Sequence, residues 1–300
     1  MYLSKLFVWF IVYSFMGWVY ESIFCTIKNR QWENRGFLHG PIVPIYGVGA
    51  LLASIVFSSL PVESLQQASS LTIFLICFFG SIVLEYFTSW ALEKLFHAYW
   101  WDYSNVPLNI HGRVCLFASI GFGVAGILVV RVLFPFVSHI TSGISPFWME
   151  FLSLFFMLLF GMDMALTISA LTNFTKNFNR IENEINEQIA AAYDKLDSSV
   201  SGAIESVKEK SSAFQESAAA KKELAGEKVS ATKELAEEKV AALREQLTRE
   251  RLEALFASSS YAQKRTMLGV QGFRKDKDKD TGIRQRMRTM IDEKRPHKKR

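Results

Sequence analysis

Charge is what the first 173 residues have least of. Seven Lys or Arg and eight Asp or Glu are spread there over long apolar runs. A soluble helical core of that length carries far more charge on its outer faces, so the composition argues against one. Cysteine is equally sparse. Cys25, Cys77 and Cys115 show no C-x-x-C spacing, so neither a zinc site nor a thioredoxin-like motif is indicated. Each reads as a small buried apolar residue. Five histidines leave little room for a dedicated metal centre, and no cofactor is expected. The chain also contains no G-x-x-x-x-G-K-[ST] nucleotide loop, no G-x-S-x-G elbow and no H-E-x-x-H. Proline is missing from the whole stretch 177–256.

What is present begins with five apolar windows, at about 3–27, 41–60, 71–97, 114–138 and 147–172. Crossing a bilayer takes about 20 residues, so the sequence predicts an all-α, polytopic membrane domain of five transmembrane helices over 1–173. The first window is too long for a signal-peptide core and no A-x-A-like site follows it, so it reads as a retained span. The links at 28–35 and 94–113 hold Lys28, Arg30, Arg35, Lys94 and Arg113, whereas those near 61–70 and 139–146 hold no Lys or Arg. The positive-inside rule therefore places the first and third links and the C-terminus in the cytoplasm.

A short pattern occurs twice. Gly17 and Glu21 lie in the first apolar run, followed by His39-Gly40-Pro41 and Gly47-x-Gly49. About seventy residues later Gly80 and Glu85 are followed by His111-Gly112-Arg113 and Gly121-x-Gly123. Both hairpins run the same way, so the expectation is a parallel repeat of two hairpins plus one further span, with a path at the repeat interface. Glu85 falls near the middle of its span. A carboxylate there costs about 2.5–3.5 kcal/mol on insertion scales and signals function by default. Glu21, His39, Glu85, His111 and Arg113 are the candidates for one cytoplasm-facing cavity. Asp102 marks a turn beside Asn105 and Pro107, and Asp163 places a second acid at membrane depth, within reach of Arg131. Pro41 and Pro44 forbid a helix running through the first His-Gly turn.

The remainder divides in two. Residues 174–256 read as an Ala/Glu/Lys-rich helical tail, in which K-E-L-A-G-E-K-V-S-A-T (222–232) is followed by K-E-L-A-E-E-K-V-A-A-L (233–243). An 11-residue period favours a straight helix or a right-handed supercoil, and Leu224, Val229, Leu235, Val240, Leu243 and Leu247 form a side suited to a helical partner. Residues 257–300 are basic, with 14 Lys or Arg against 5 Asp or Glu from 261 onward. Such a run is expected to be disordered, with anionic lipid or nucleic acid as the partners its charge favours.

The strings G-W-x-x-E (17–21), R-G-F-L-H-G-P-x-x-P-I-Y-G-x-G (35–49), E-Y-F-T-S-W-x-L-E (85–93) and W-W-D-Y-S…N-x-x-G-R-V-C-L (100–116) resemble a bacterial ABC-transporter permease family, the type IV, CmpB-like group. The resemblance covers about residues 1–170 and leaves the tail outside. It implies a multi-pass protein of the bacterial plasma membrane, surrounded by lipid, acting as a transport component of unstated substrate. If ATP drives that transport, the ATPase is a separate chain. Two further readings come from the residues alone. One is an intramembrane enzyme acting on a lipid-linked substrate, with the Glu, His and Arg set and Asp102 as acid–base groups. The other is a membrane-anchored adaptor or envelope-organising protein, in which the tail matters most.

Overall fold

The structure is a computed structural model, and it describes residues 2–30, 36–58, 68–212, 218–270, 272–273 and 283–294. Arg35 and the end of the second apolar window lie outside the described residues. The chain divides into two units. One holds 1–174, 260–276 and 288–300, the other 175–259 and 277–287.

The first unit begins with α1 (Tyr2–Asn29), α2 (Pro44–Ser58) and α3 (Ser70–Phe96). Three two-residue strands follow, β1 (Ala98–Tyr99), β2 (Asn109–Ile110) and β3 (Val114–Cys115). Then come α4 (Leu116–Leu128), a π-helical turn at Val129–Leu133, and α5 (Phe134–Ser142). Pro44 opens α2, the position where its missing N–H costs least. Ser69 caps α3, its hydroxyl accepting the Thr72 amide at 3.1 Å. The π turn has a local cause. Pro135 has no N–H to give to the fourth residue before it, and its ring would meet the Arg131 carbonyl. The ladder shifts to the wider spacing, with the Phe134 amide on the Val129 carbonyl.

Among the described residues, four helical stretches are long and apolar enough to cross a membrane: Tyr2–Ile27, Ser70–Phe96, Leu116–Ser142 and Pro146–Ser199. The last belongs to α6 (Pro146–Ser212), which continues well past the apolar window expected at 147–172. The second of the five expected spans is the shorter α2, with 15 residues. The outer faces of these helices present Phe79, Val83, Phe87, Phe117, Val124, Leu154 and Leu158, all exposed, the pattern of helices solvated by lipid. The chain is therefore an all-α membrane protein.

Packing inside the unit is pairwise, α1 against α2 and α3 against α4. Small residues permit it. A Cβ on Gly47 would lie 1.9 Å from Ser14 Oγ and 2.7 Å from the Phe10 carbonyl, and one on Gly126 would meet Cys77 at 2.4 Å. Trp9, Tyr13 and Val137 form one buried cluster, and Phe57, Ile73 and Val130 another. The Trp9 indole donates to Thr141 Oγ1 at 3.0 Å, which removes the cost of burying that N–H. Arg131 donates to the Ala68 carbonyl, at the threshold of α3.

Two further elements complete this unit, α8 (Tyr261–Gly269) and β4 (Gly272–Phe273). They lie in the basic segment, where the sequence reading expects disorder. Ser260 and Gln263 form a reciprocal capping box that starts α8. Met267 and Val270 are buried, and β4 pairs antiparallel with β1. Val270 joins Phe96, Ala98 and Leu171 in a third cluster, with Phe37 and Trp100 against it.

The second unit contains the tail portion of α6, α7 (Ala218–Ser258) and the start of α9 (Ile283–Lys294). Phe178, Ile181, Ile185 and Ile189 make a buried line on α6, and Val240, Thr248, Leu252 and Leu255 make one on α7. Of the apolar side expected on α7, Val240 is buried while Leu235 and Leu243 are exposed. The buried line follows Thr248, Leu252 and Leu255 instead, beyond the end of the 11-residue repeat. Arg251 pairs with Glu184 at 3.8 Å and Arg286 with Glu245 at 3.2 Å.

These packing distances give a testable contrast. Gly47→Val is expected to destabilise the membrane unit by about 1–3 kcal/mol through overpacking against α1. Gly121→Ala, with nothing within 4 Å of its added methyl, is expected to leave the unit intact. Melting curves of both variants in one detergent check the difference.

Candidate functional site

The loop between α3 and α4 is short of regular structure but rich in hydrogen bonds. Asp102 Oδ1 accepts both the Ser104 amide (2.9 Å) and the Ser104 hydroxyl (2.6 Å), closing a turn. The Tyr103 amide donates to the Gly112 carbonyl at 2.8 Å, and the Val106 amide to the Tyr103 carbonyl at 2.8 Å. Asn109 Oδ1 accepts the Gly112 amide at 2.9 Å. The Ile110–Arg113 turn joins β2 to β3, with His111 at φ 53 and Gly112 at φ 69. Positive φ at both central residues belongs to the primed hairpin turns. A side chain on Gly112 would also lie 2.4 Å from Ser104 Oγ.

Arg113 ties this loop back onto α3. Its guanidinium pairs with Glu93, donates to the Tyr86 hydroxyl at 3.2 Å, and lies over the Tyr86 ring at 5.2 Å. The Trp101 indole donates to the Arg113 carbonyl at 2.9 Å, and His111 Nδ1 lies 3.2 Å from the Tyr86 hydroxyl. The loop thus reaches alongside α3 as far as residues 85 and 86. There the Tyr103 hydroxyl faces the carboxylate of Glu85.

Glu85 is 4% exposed, and its Oε2 has no hydrogen-bond partner. Tyr46 of α2 and Tyr103 both lie within the fields of Glu85 and Glu21. Burial, and after it the nearby Glu85, Cys115 and Glu21, push the Tyr103 phenol above its usual range. Tyr46 reaches this position because Gly17 leaves room for it. A Cβ on Gly17 would lie 2.3 Å from that of Tyr46. The Tyr46 ring also meets Tyr20 of α1 at 6.3 Å and Phe122 of α4 at 5.9 Å. Four helices and one loop therefore surround two carboxylates and two phenols, groups able to exchange a proton or hold a cation.

The other His-Gly turn is built differently. Asp163 of α6 accepts the amides of His39 (2.9 Å) and Gly40 (2.8 Å), one on each carboxylate oxygen. His39 Nδ1 lies 2.8 Å from Thr167 Oγ1, and Nε2 lies 3.4 Å from the Ala262 carbonyl. A carbonyl only accepts, so Nε2 carries the hydrogen. Arg265 of α8 donates to the carbonyls of His39 and Leu38. The loop is held from both sides, by Asp163 through its donors and by Arg265 through its acceptors.

Six of the seven candidates from the sequence thus fall into three groups. Glu21 and Glu85 share the two phenols, His111 and Arg113 share Tyr86, and His39 and Asp163 share one clamp. Asp102 shapes the loop that carries Tyr103. Asp163 binds loop amides, and Arg131 serves Ala68, so the pairing within reach on sequence grounds is not the one adopted. Four residues escaped the sequence reading: Tyr46, Tyr103, Thr167 and Arg265. Tyr46 and Tyr103 stand inside two of the motif strings, P-I-Y-G and W-W-D-Y-S, which was the available signal. Nothing in the basic tail singled out Arg265. Among the described residues there is no group of three or more His, Cys, Asp or Glu arranged to hold a metal.

The sequence model of the family described as "Putative ABC-transporter type IV" matches residues 8–168. That is more than half of the chain, and the chain belongs to this family. All of the motif strings and both carboxylates fall inside the match. No curated protein and no solved structure matches the chain.

The clamp supplies its own prediction. Asp163→Ala leaves two loop amides without their charged acceptor and is expected to cost about 2–3 kcal/mol. Asp163→Asn, which keeps one acceptor oxygen, should cost less. Thermal unfolding in detergent and the rate of proteolysis at residues 36–43 check the order of the two.

Proposed function

With membership of that transporter family as the premise, we propose that the chain is a transport component of a bacterial plasma membrane, whose path passes Glu21 and Glu85. The observation that supports this most is Glu85: a carboxylate buried within a membrane-length helix, with one oxygen left unpartnered. Such a group is expensive to keep in an apolar span. A merely structural acid would be expected to have both oxygens satisfied. In this reading Tyr46 and Tyr103 line the path with the carboxylates. The loops around His39 and around His111–Arg113 hold its cytoplasmic end. In this reading α2 serves as the remaining span, and the basic links put the C-terminus on the cytoplasmic side. The chain has no nucleotide loop of its own, so transport driven by ATP requires a separate ATPase subunit.

The test uses membrane vesicles carrying the full chain, incubated with a cytosolic extract and examined by untargeted mass spectrometry. A compound that accumulates with the wild-type chain, and at least about tenfold less with Glu85→Gln at equal protein level, is the expected outcome (about 1.4 kcal/mol or more). Equal accumulation with both proteins would remove Glu85 from the path.

A further inference from the structure

The carboxylate site admits a narrower statement about its ligand, one that rests on the transport reading above. The titratable groups acting on the two phenols are Glu85, Glu21, Tyr20 and Cys115, all of them acids. They come from α3, α1 and the loop ending at β3, and Tyr46 itself comes from α2. Helix α4, which packs along α3, has no titratable side chain. Tyr99 of β1 responds to Arg288, Asp102 and Glu93, not to Glu85. Of the basic residues on the loop, Arg113 is committed to Glu93 and Tyr86, and His111 lies against the Tyr86 hydroxyl. Among the described residues, no basic group acts on Glu85.

A buried carboxylate without a counter-charge takes up a proton or a small cation, because the bare charge is too costly in an apolar interior. A hard metal cation asks for about six oxygen ligands. The described residues gather no cluster of three or more acidic or metal-binding side chains. A proton needs one oxygen, and Glu85 Oε2 is buried and unpartnered. We infer that Glu85 binds an exchangeable proton, with Tyr103 holding the other side of its carboxylate, and that transport through this unit is coupled to that proton.

The experiment is carbodiimide labelling of the full chain, purified in detergent and free of sodium. A hydrophobic carbodiimide reacts with a protonated buried carboxyl and not with a carboxylate. Intact mass and peptide mapping, across a pH series, report which residue is labelled. The expected result is one label per chain, on the peptide containing Glu85, falling at least about tenfold as the pH rises through its titration. Glu85→Gln should remove that label. Tyr103→Phe removes a hydrogen bond that favours the charged form, so the midpoint should move upward by about one pH unit. This second variant leaves Glu85 in place and carries the test if Glu85→Gln fails to fold.

Three results would overturn the inference. They are no label on Glu85 at any pH in a protein that elutes as one species, labelling that does not vary with pH, and suppression by added sodium or potassium at fixed pH. The last would assign the site to a metal cation. The transport reading is separable from this one. A pH-dependent label on Glu85 together with unchanged accumulation in Glu85→Gln vesicles removes the transport path and leaves the proton site. Loss of accumulation without any pH-dependent label does the reverse.

Discussion

The membrane unit depends on how it accommodates one carboxylate. Glu85 lies buried inside an apolar helix, and among the described residues the Tyr103 hydroxyl is the one side chain that acts on it. To bring that hydroxyl there, the chain after α3 must fold back along the helix it has just left. The loop's unusual features follow from this requirement. Asp102 and Ser104 close one turn, Gly112 takes a positive φ where no side chain would fit, and Arg113 fastens the loop to Glu93 and Tyr86. Backbone of this irregular kind at membrane depth survives only where protein covers it. Here the amides of Tyr103, Ser104, Val106 and Gly112 all find acceptors within the loop.

The first His-Gly turn solves a related problem with other means. Two prolines and two glycines between residues 36 and 44 leave the backbone without a helical ladder. Asp163 and Arg265 replace that ladder from outside, one as acceptor and the other as donor. The donor comes from a helix more than two hundred residues later in the chain. A segment that lies beyond the family match thus completes a loop that lies within it. The same segment adds β4 to the edge of β1 and Val270 to the cluster around Phe96.

Much of the architecture was legible because lipid imposes simple rules. Long apolar runs became helices, and Pro44 became a helix start. Glu85 stood out for the reason that it is costly. The partners of these residues were less legible. Tyr103 was not among the candidates, since nothing in W-W-D-Y-S says which ring points back toward α3. His39 and His111 occupy equivalent places in the repeated pattern, yet one is clamped by a carboxylate and the other lies against a phenol. The surroundings of His39 are set by α6 and α8, which the repeat does not include, whereas His111 meets Tyr86 of α3. Arg265 was hidden by composition: one arginine among fourteen basic residues carries no mark of its own. On α7 the buried line keeps Val240 of the expected apolar side and runs on through Thr248, Leu252 and Leu255, because it is chosen by what the helix packs on.

The central claim, that the Tyr103 loop and the α3 carboxylate stabilise one another, is open to a direct thermodynamic test. The measurement is a double-mutant cycle on the unfolding of the full chain in one detergent, using Glu85→Gln, Tyr103→Phe and the combined variant. A hydrogen bond to a buried carboxylate predicts a coupling energy of about 1–3 kcal/mol, the double variant losing less than the sum of the two single losses. Strict additivity of the two substitutions would contradict the account, because it would mean that the loop and the carboxylate do not meet.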